Sequence, residues 1–166
     1  MDLQPLLQWL YDSSFGTAIR EQGTLFPWIE SLHVLCITLV VGSISIVDLR
    51  LLGIASKSRA VSRLTGEVLP FTWIMFVLAA ITGGLLFSSN AVKYAHNVFF
   101  LSKMALLVVA FVNMMVFHVI TSRGIEHWDE SPHPPVPAKL AGGVSLLLWA
   151  AIIVCGRWIG FTMTAF

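Results

Sequence analysis

The stretch Trp28-Ile-Glu-Ser-Leu-His33 opens an apolar run that continues to Asp48-Leu-Arg50. Its length covers the roughly 20 apolar residues that a bilayer crossing needs. It therefore reads as a membrane-spanning helix with a glutamate and a histidine at its mouth. Three further runs of the same kind follow, so the fold class is all-α: an integral membrane four-helix bundle. Residues 1–166 form one membrane domain, with spans at about 27–52, 69–87, 98–120 and 138–161.

Composition agrees. Of the 166 residues, 57% are hydrophobic and 11% charged, and the mean hydropathy is +0.83. A soluble chain this short has too little interior to hide so much apolar surface. A formal net charge of +1 offers no basic face for nucleic acid and no acidic tail. Cys36 and Cys155 lie apart in apolar runs and suggest no disulfide framework. The start, Met1-Asp-Leu-Gln-Pro, has no basic region followed by an apolar core. No cleavable signal peptide is expected, and the first span is expected to direct insertion.

Ahead of the first span, residues 5–20 mix Leu6, Leu7, Trp9, Leu10, Phe15 and Ile19 with polar residues. This segment is too polar to span and reads as one amphipathic helix on the membrane interface. Pro27 is placed as a first-turn proline. Thr82-Gly-Gly84 in span two would let a neighbouring helix come close. The loop from Arg123 to Pro137, with four prolines, is expected to lack regular structure.

The side where span one begins is here the A face, the other the B face. Arg50, Lys57, Arg59, Arg63, Arg123 and Lys139 crowd the B face, against Arg20 and Lys93 at the A face. The positive-inside rule then predicts a cytoplasmic B face. Both termini are expected outside, in the periplasm of a bacterial inner-membrane protein.

Counting from the A ends, His33, Lys103 and Arg157 lie about four to six residues deep, at about 1.5 Å per residue. Glu30 and His96 lie nearer the A surface. Charges inside spans are costly and usually face the bundle interior, so five groups at one level suggest a site. Glu30 precedes His33 by one turn and is placed to orient its ring. His96 and Lys103 share a face if span three extends back that far. Such a layer suits haem b: His33 and His96 as iron ligands, Lys103 as ligand or as a propionate or quinone partner, Arg157 on a propionate. His118 lies roughly 20 Å deeper and cannot partner His33. It is expected near Asp48 and Arg50, themselves read as a helix-end charge pair.

The run Glu30-Ser-Leu-His33-Val, the Asp48-Leu-Arg-Leu-Leu-Gly53 end, Lys103 and Gly156-Arg157 resemble an uncharacterised family of small four-helix bacterial inner-membrane proteins. The early histidine of span one and early lysine of span three are distantly similar to HemJ-type protoporphyrinogen oxidases, and the layout to CopD-type membrane domains. The HemJ resemblance implies haem b and roles for His33 and Lys103.

The expectation is thus a membrane-embedded b-type haem protein in the lipid bilayer, an electron-transfer subunit working between quinone and a periplasmic partner or other complex subunits, with a homo-oligomer as a candidate assembly. Two alternatives stand beside it. One is a copper-handling protein using Cys36, Cys155, Met104 and His33 as soft ligands. The other is a non-catalytic anchor or assembly subunit of a larger complex. No nucleophile–base pair, phosphate loop or HExxH motif points to an enzyme acting alone.

Overall fold

The computed structural model describes residues 3–121 and 123–164. Helices α1 (Gln4–Tyr11) and α2 (Ser14–Glu21) precede four helices long and apolar enough to cross a membrane. These are α3 (Leu25–Leu51), α4 (Val61–Ser89), α6 (Val98–Val116, continued by a π-helical turn Phe117–Thr121) and α7 (Val136–Thr164). A short α5 (Ala91–Ala95) joins α4 to α6. The chain is a multi-pass membrane protein.

α3 packs on both α4 and α7, and α6 packs on α7. α4 and α6 meet at the A end, where the rings of Phe87 and Phe100 stack with centroids 5.2 Å apart, and approach each other little elsewhere. The helices therefore form a row, α4–α3–α7–α6, whose two ends touch at the A end and stand apart beside the B-half cavity. α3 and α7 cross closely at Gly142, where a Cβ would lie 2.9 Å from the Asp48 carbonyl oxygen. α6 and α7 are tied by Asn113, which donates to the Ala141 carbonyl at 3.1 Å, and by Asn97, which donates to Thr162 at 2.8 Å. Of the 19 residues of α6 none is buried, so most of its apolar surface faces lipid.

The amphipathic segment is two helices, not one. The chain breaks at Asp12, and Ser13 caps α2 by accepting from the Gly16 amide at 3.1 Å. Gly16 sits on the end of α4: a Cβ there would lie 2.7 Å from the Ser88 carbonyl oxygen. Arg20 clamps the unit, donating to the carbonyls of Tyr11 at 2.7 Å and Ser89 at 3.0 Å. Trp9 and Phe15 stay exposed at the A face, where an interfacial segment wants them.

α4 starts two turns earlier than its apolar run, at Val61 instead of about Leu69. Its first turns are polar but well satisfied. Asp129 caps it: the Val61 amide donates to the Asp129 carbonyl at 3.1 Å and the Ser62 amide to its carboxylate at 2.7 Å. Glu67 pairs with Arg59 and Arg63. Hydrogen bonding, not hydropathy, thus decides where this helix begins.

The proline-rich loop is likewise more ordered than expected. It carries a 3₁₀ turn at Ile125–His127. Arg50, with none of its surface exposed, donates to the carbonyls of Arg59 at 2.8 Å and of Asp129 and Ser131 at 3.0 Å each. Arg50 and Asp48 do not form the expected pair. Two residues apart on a helix is about 200°, so they point to opposite sides: Arg50 into the loop, Asp48 into the bundle.

Candidate functional site

His33 projects from α3 toward α4 in the A half of the bundle. Its Nδ1 stands 3.0 Å from the Thr82 hydroxyl oxygen. That hydroxyl already donates its proton to the Leu78 carbonyl at 2.8 Å. The Ala79 carbonyl, 3.1 Å from the same hydroxyl, also hydrogen-bonds the imidazole, and the tautomer with the proton on Nδ1 lets Thr82 accept. The ring fits because residue 83 is glycine: a Cβ there would lie 2.9 Å from His33 Cε1. The small pair read as a helix-contact face is the seat of an imidazole.

Lys103 comes from α6. Its side chain lies along Gly156 of α7, with Nζ 3.8 Å from where a Cβ would be. His33 and Lys103 are within electrostatic reach of each other, and Lys103 also faces Cys155. The central feature is thus an oriented imidazole and an amine brought together from α3 and α6, backed by glycines of α4 and α7.

Glu30, His96 and Arg157 lie on the exposed rim of the same end. Thr82, not Glu30, orients the His33 ring. Glu30 instead faces Tyr94, whose phenol is pushed up, first by burial and then by that carboxylate. His96 sits where α5 ends, its Nδ1 2.8 Å from the Val92 carbonyl oxygen. The shared face with Lys103 required a continuous helix. Asn97 ends that continuity by capping α6, accepting from the Phe99 amide at 2.9 Å and the Phe100 amide at 3.1 Å. Arg157 lies over the Phe161 ring, 5.0 Å from its centroid.

Among the described residues, no three His, Cys, Asp or Glu side chains gather as a metal ion would require. Met104 is 46% exposed on the outer surface of α6, and Cys36 is buried. The soft-ligand set for copper is not assembled.

A second feature lies toward the B face. A cavity of about 240 Å³ is lined by all four spans and holds Asp48, Thr65, Asn113, His118 and Ser145 among apolar side chains. Sequence reading placed Asp48 and His118 in one polar cluster, and both line this cavity. Arg50 is not part of it.

Fold and site define a class: an all-helical, four-span membrane protein with an imidazole and an amine within electrostatic reach of each other at one end. The chain belongs to the family described as a family of unknown function, DUF6644, whose model matches residues 6–162. No curated protein matches the chain, and no solved structure does. None of these comparisons supports the resemblance to HemJ-type or CopD-type proteins.

Proposed function

We propose that this protein is a membrane-embedded b-type haem protein, an electron-transfer subunit between quinone and a partner at the A face. One observation carries the reading: His33 is held through Nδ1 by Thr82 on a glycine seat, with Lys103 within electrostatic reach. Histidines that ligate metals donate their other nitrogen's proton in this way, which fixes the tautomer and raises ligand basicity. Haem needs only one or two axial ligands, so the lack of a three-residue cluster does not count against it. His33 Nε2 is assigned to the iron. Lys103 is assigned as second ligand or as the cation that meets a propionate. His96, Arg157 and Glu30 are assigned to the rim, where an imidazole and a guanidinium suit propionates or a partner's surface. When bound, haem supplies one-electron transfer, and the apolar walls keep water out.

The excess of Lys and Arg at the B face supports a cytoplasmic B face in a bacterial inner membrane, with the redox partner and both termini in the periplasm.

The test is the visible spectrum of the purified protein, oxidised and reduced. A Soret band with reduced b-type bands is expected, lost in His33→Ala and altered in Lys103→Met. A preparation supplied with haem that shows no Soret band overturns the proposal.

A further inference from the structure

The cavity in the B half is closed to both aqueous sides and open to lipid. Below it, Val47, Leu51, Val61, Phe117 and Ala138 form a buried apolar cluster. Above it, Val40, Trp149 and Ile152 form another, between the cavity and the His33 layer. Sideways it is different. α4 and α6 are joined at the A end by the stacked rings of Phe87 and Phe100, but beside the cavity Trp73 and Phe111, which line it from those two helices, are 43% and 53% exposed. Whatever occupies the cavity therefore arrives through the bilayer.

Two oxygens say what that occupant must carry. Asp48 is 5% exposed and lines the cavity. Its Oδ2 is buried with no hydrogen-bond partner among the described residues, and so is Thr65 Oγ1. Ser145 is the side chain that reaches the Asp48 carboxyl. A buried polar atom left unsatisfied is costly, and an ionisable group inside a membrane usually marks a substrate or ion pathway. The two oxygens belong to different helices, α3 and α4. They call for a ligand with a donor for the Asp48 oxygen, a second polar group that can accept from or donate to the Thr65 hydroxyl, and an apolar body. Trp73, Phe76, Phe111 and Phe117 supply flat walls that suit a ring. Pockets for whole drug-sized ligands run from about 300 Å³ upward. A cavity of about 240 Å³ accommodates a single-ring head, while a tail leaves through the gap.

We propose that this cavity binds the ring head of a lipophilic hydroquinone that enters from the bilayer between α4 and α6. One ring hydroxyl donates to Asp48 and the other meets Thr65. The choice of a hydroquinone over other hydroxylated lipids rests on the electron-transfer reading above.

The test uses the full-length protein in nanodiscs and a short-tailed alkyl hydroquinone kept reduced under anaerobic conditions. Trp73 and Trp149 line the cavity, so the readout is quenching of tryptophan fluorescence. Saturable quenching is expected. Asp48→Leu, which keeps bulk but removes the acceptor, is expected to weaken binding at least tenfold. Ala110→Phe, which fills the cavity and leaves Asp48 in place, is expected to abolish it. Unchanged affinity in the Ala110→Phe protein overturns the proposal, as does a plain long-chain alcohol competing as well as the hydroquinone. The two readings fail separately. Saturable binding without a haem spectrum sinks the haem assignment and leaves the cavity site. A haem spectrum without saturable binding does the reverse.

Discussion

His33 and Thr82 meet across the α3–α4 interface with 3.0 Å between ring nitrogen and hydroxyl oxygen. Thr82 passes its own proton back to its helix. The contact therefore does two jobs: it joins two spans and it favours the tautomer of His33 with the proton on Nδ1.

Thr82→Val separates those jobs from mere bulk. Polar contacts between membrane helices contribute about 0.6 kcal/mol on average and about 1.7 at most. A loss in that range is expected from the midpoint of unfolding in denaturing detergent. Thr82→Ser, which keeps the hydroxyl, should hold the wild-type midpoint and the wild-type reduced spectrum. Thr82→Val should shift both.

Gly83 and Gly84 form a matched pair of substitutions. A Cβ at Gly83 meets the His33 ring, whereas one at Gly84 meets nothing within 4 Å. Gly83→Ala is expected to displace the ring and cost about 1–3 kcal/mol, as overpacking does. Gly84→Ala is expected to be near neutral. Equal unfolding midpoints for the two variants would refute the seat described for His33.

Arg50→Leu should be among the most damaging single changes. It strands the carbonyls of Arg59, Asp129 and Ser131. A hydrogen bond from a charged donor contributes about 1.5–3 kcal/mol, and the three share one side chain and do not add simply. A loss of at least about 3 kcal/mol is expected. Arg50→Lys should recover only part of it, because an ammonium lacks the planar fork. Protease cleavage within residues 123–135 would report the freed loop.

Asp129 gives the B face an acid-sensitive point. Partial burial pushes its carboxyl up, but the Ser62 hydroxyl and amide outweigh this and hold it below the usual 3.8. A carboxyl that is lower in the folded protein stabilises fully above its unfolded value. That stabilisation is lost as pH falls through the lower folded value. The acid limb of unfolding, below about pH 4 for an ordinary aspartate, should therefore be shallower in Asp129→Ala. At neutral pH the variant should be less stable by about 0.5–2 kcal/mol, the usual effect of losing a helix cap.

The spans were legible because lipid imposes one simple rule on every residue of a crossing helix. Hydropathy identified each of them, and counting from the ends placed His33 and Lys103 at one depth. Direction around the helix was not legible. Arg157 has the right depth yet turns outward over Phe161, because azimuth depends on which neighbour packs where. His96 shifted for a local reason: Asn97 is a strong cap and starts a new helix. The early start of α4 and the order in the proline-rich loop come from Asp129 and Arg50 acting far along the chain, which no local pattern encodes. A threonine and a glycine at the depth of His33 were a usable signal for its seat.

The closest helix pairings, α3 with α4 and α6 with α7, make the bundle two consecutive hairpins. Within its spans each hairpin makes its own helical hydrogen bonds and can enter the bilayer as it leaves the ribosome, and the bonds of Asp129 to the start of α4 and of Arg50 to the 123–135 loop form when the halves dock. The polypeptide should then tolerate a cut at the kink by His96: co-expressed pieces 1–95 and 97–166 are expected to reassemble and co-purify. Failure of the pieces to associate would mean that covalent continuity, not lateral docking of finished halves, builds the protein.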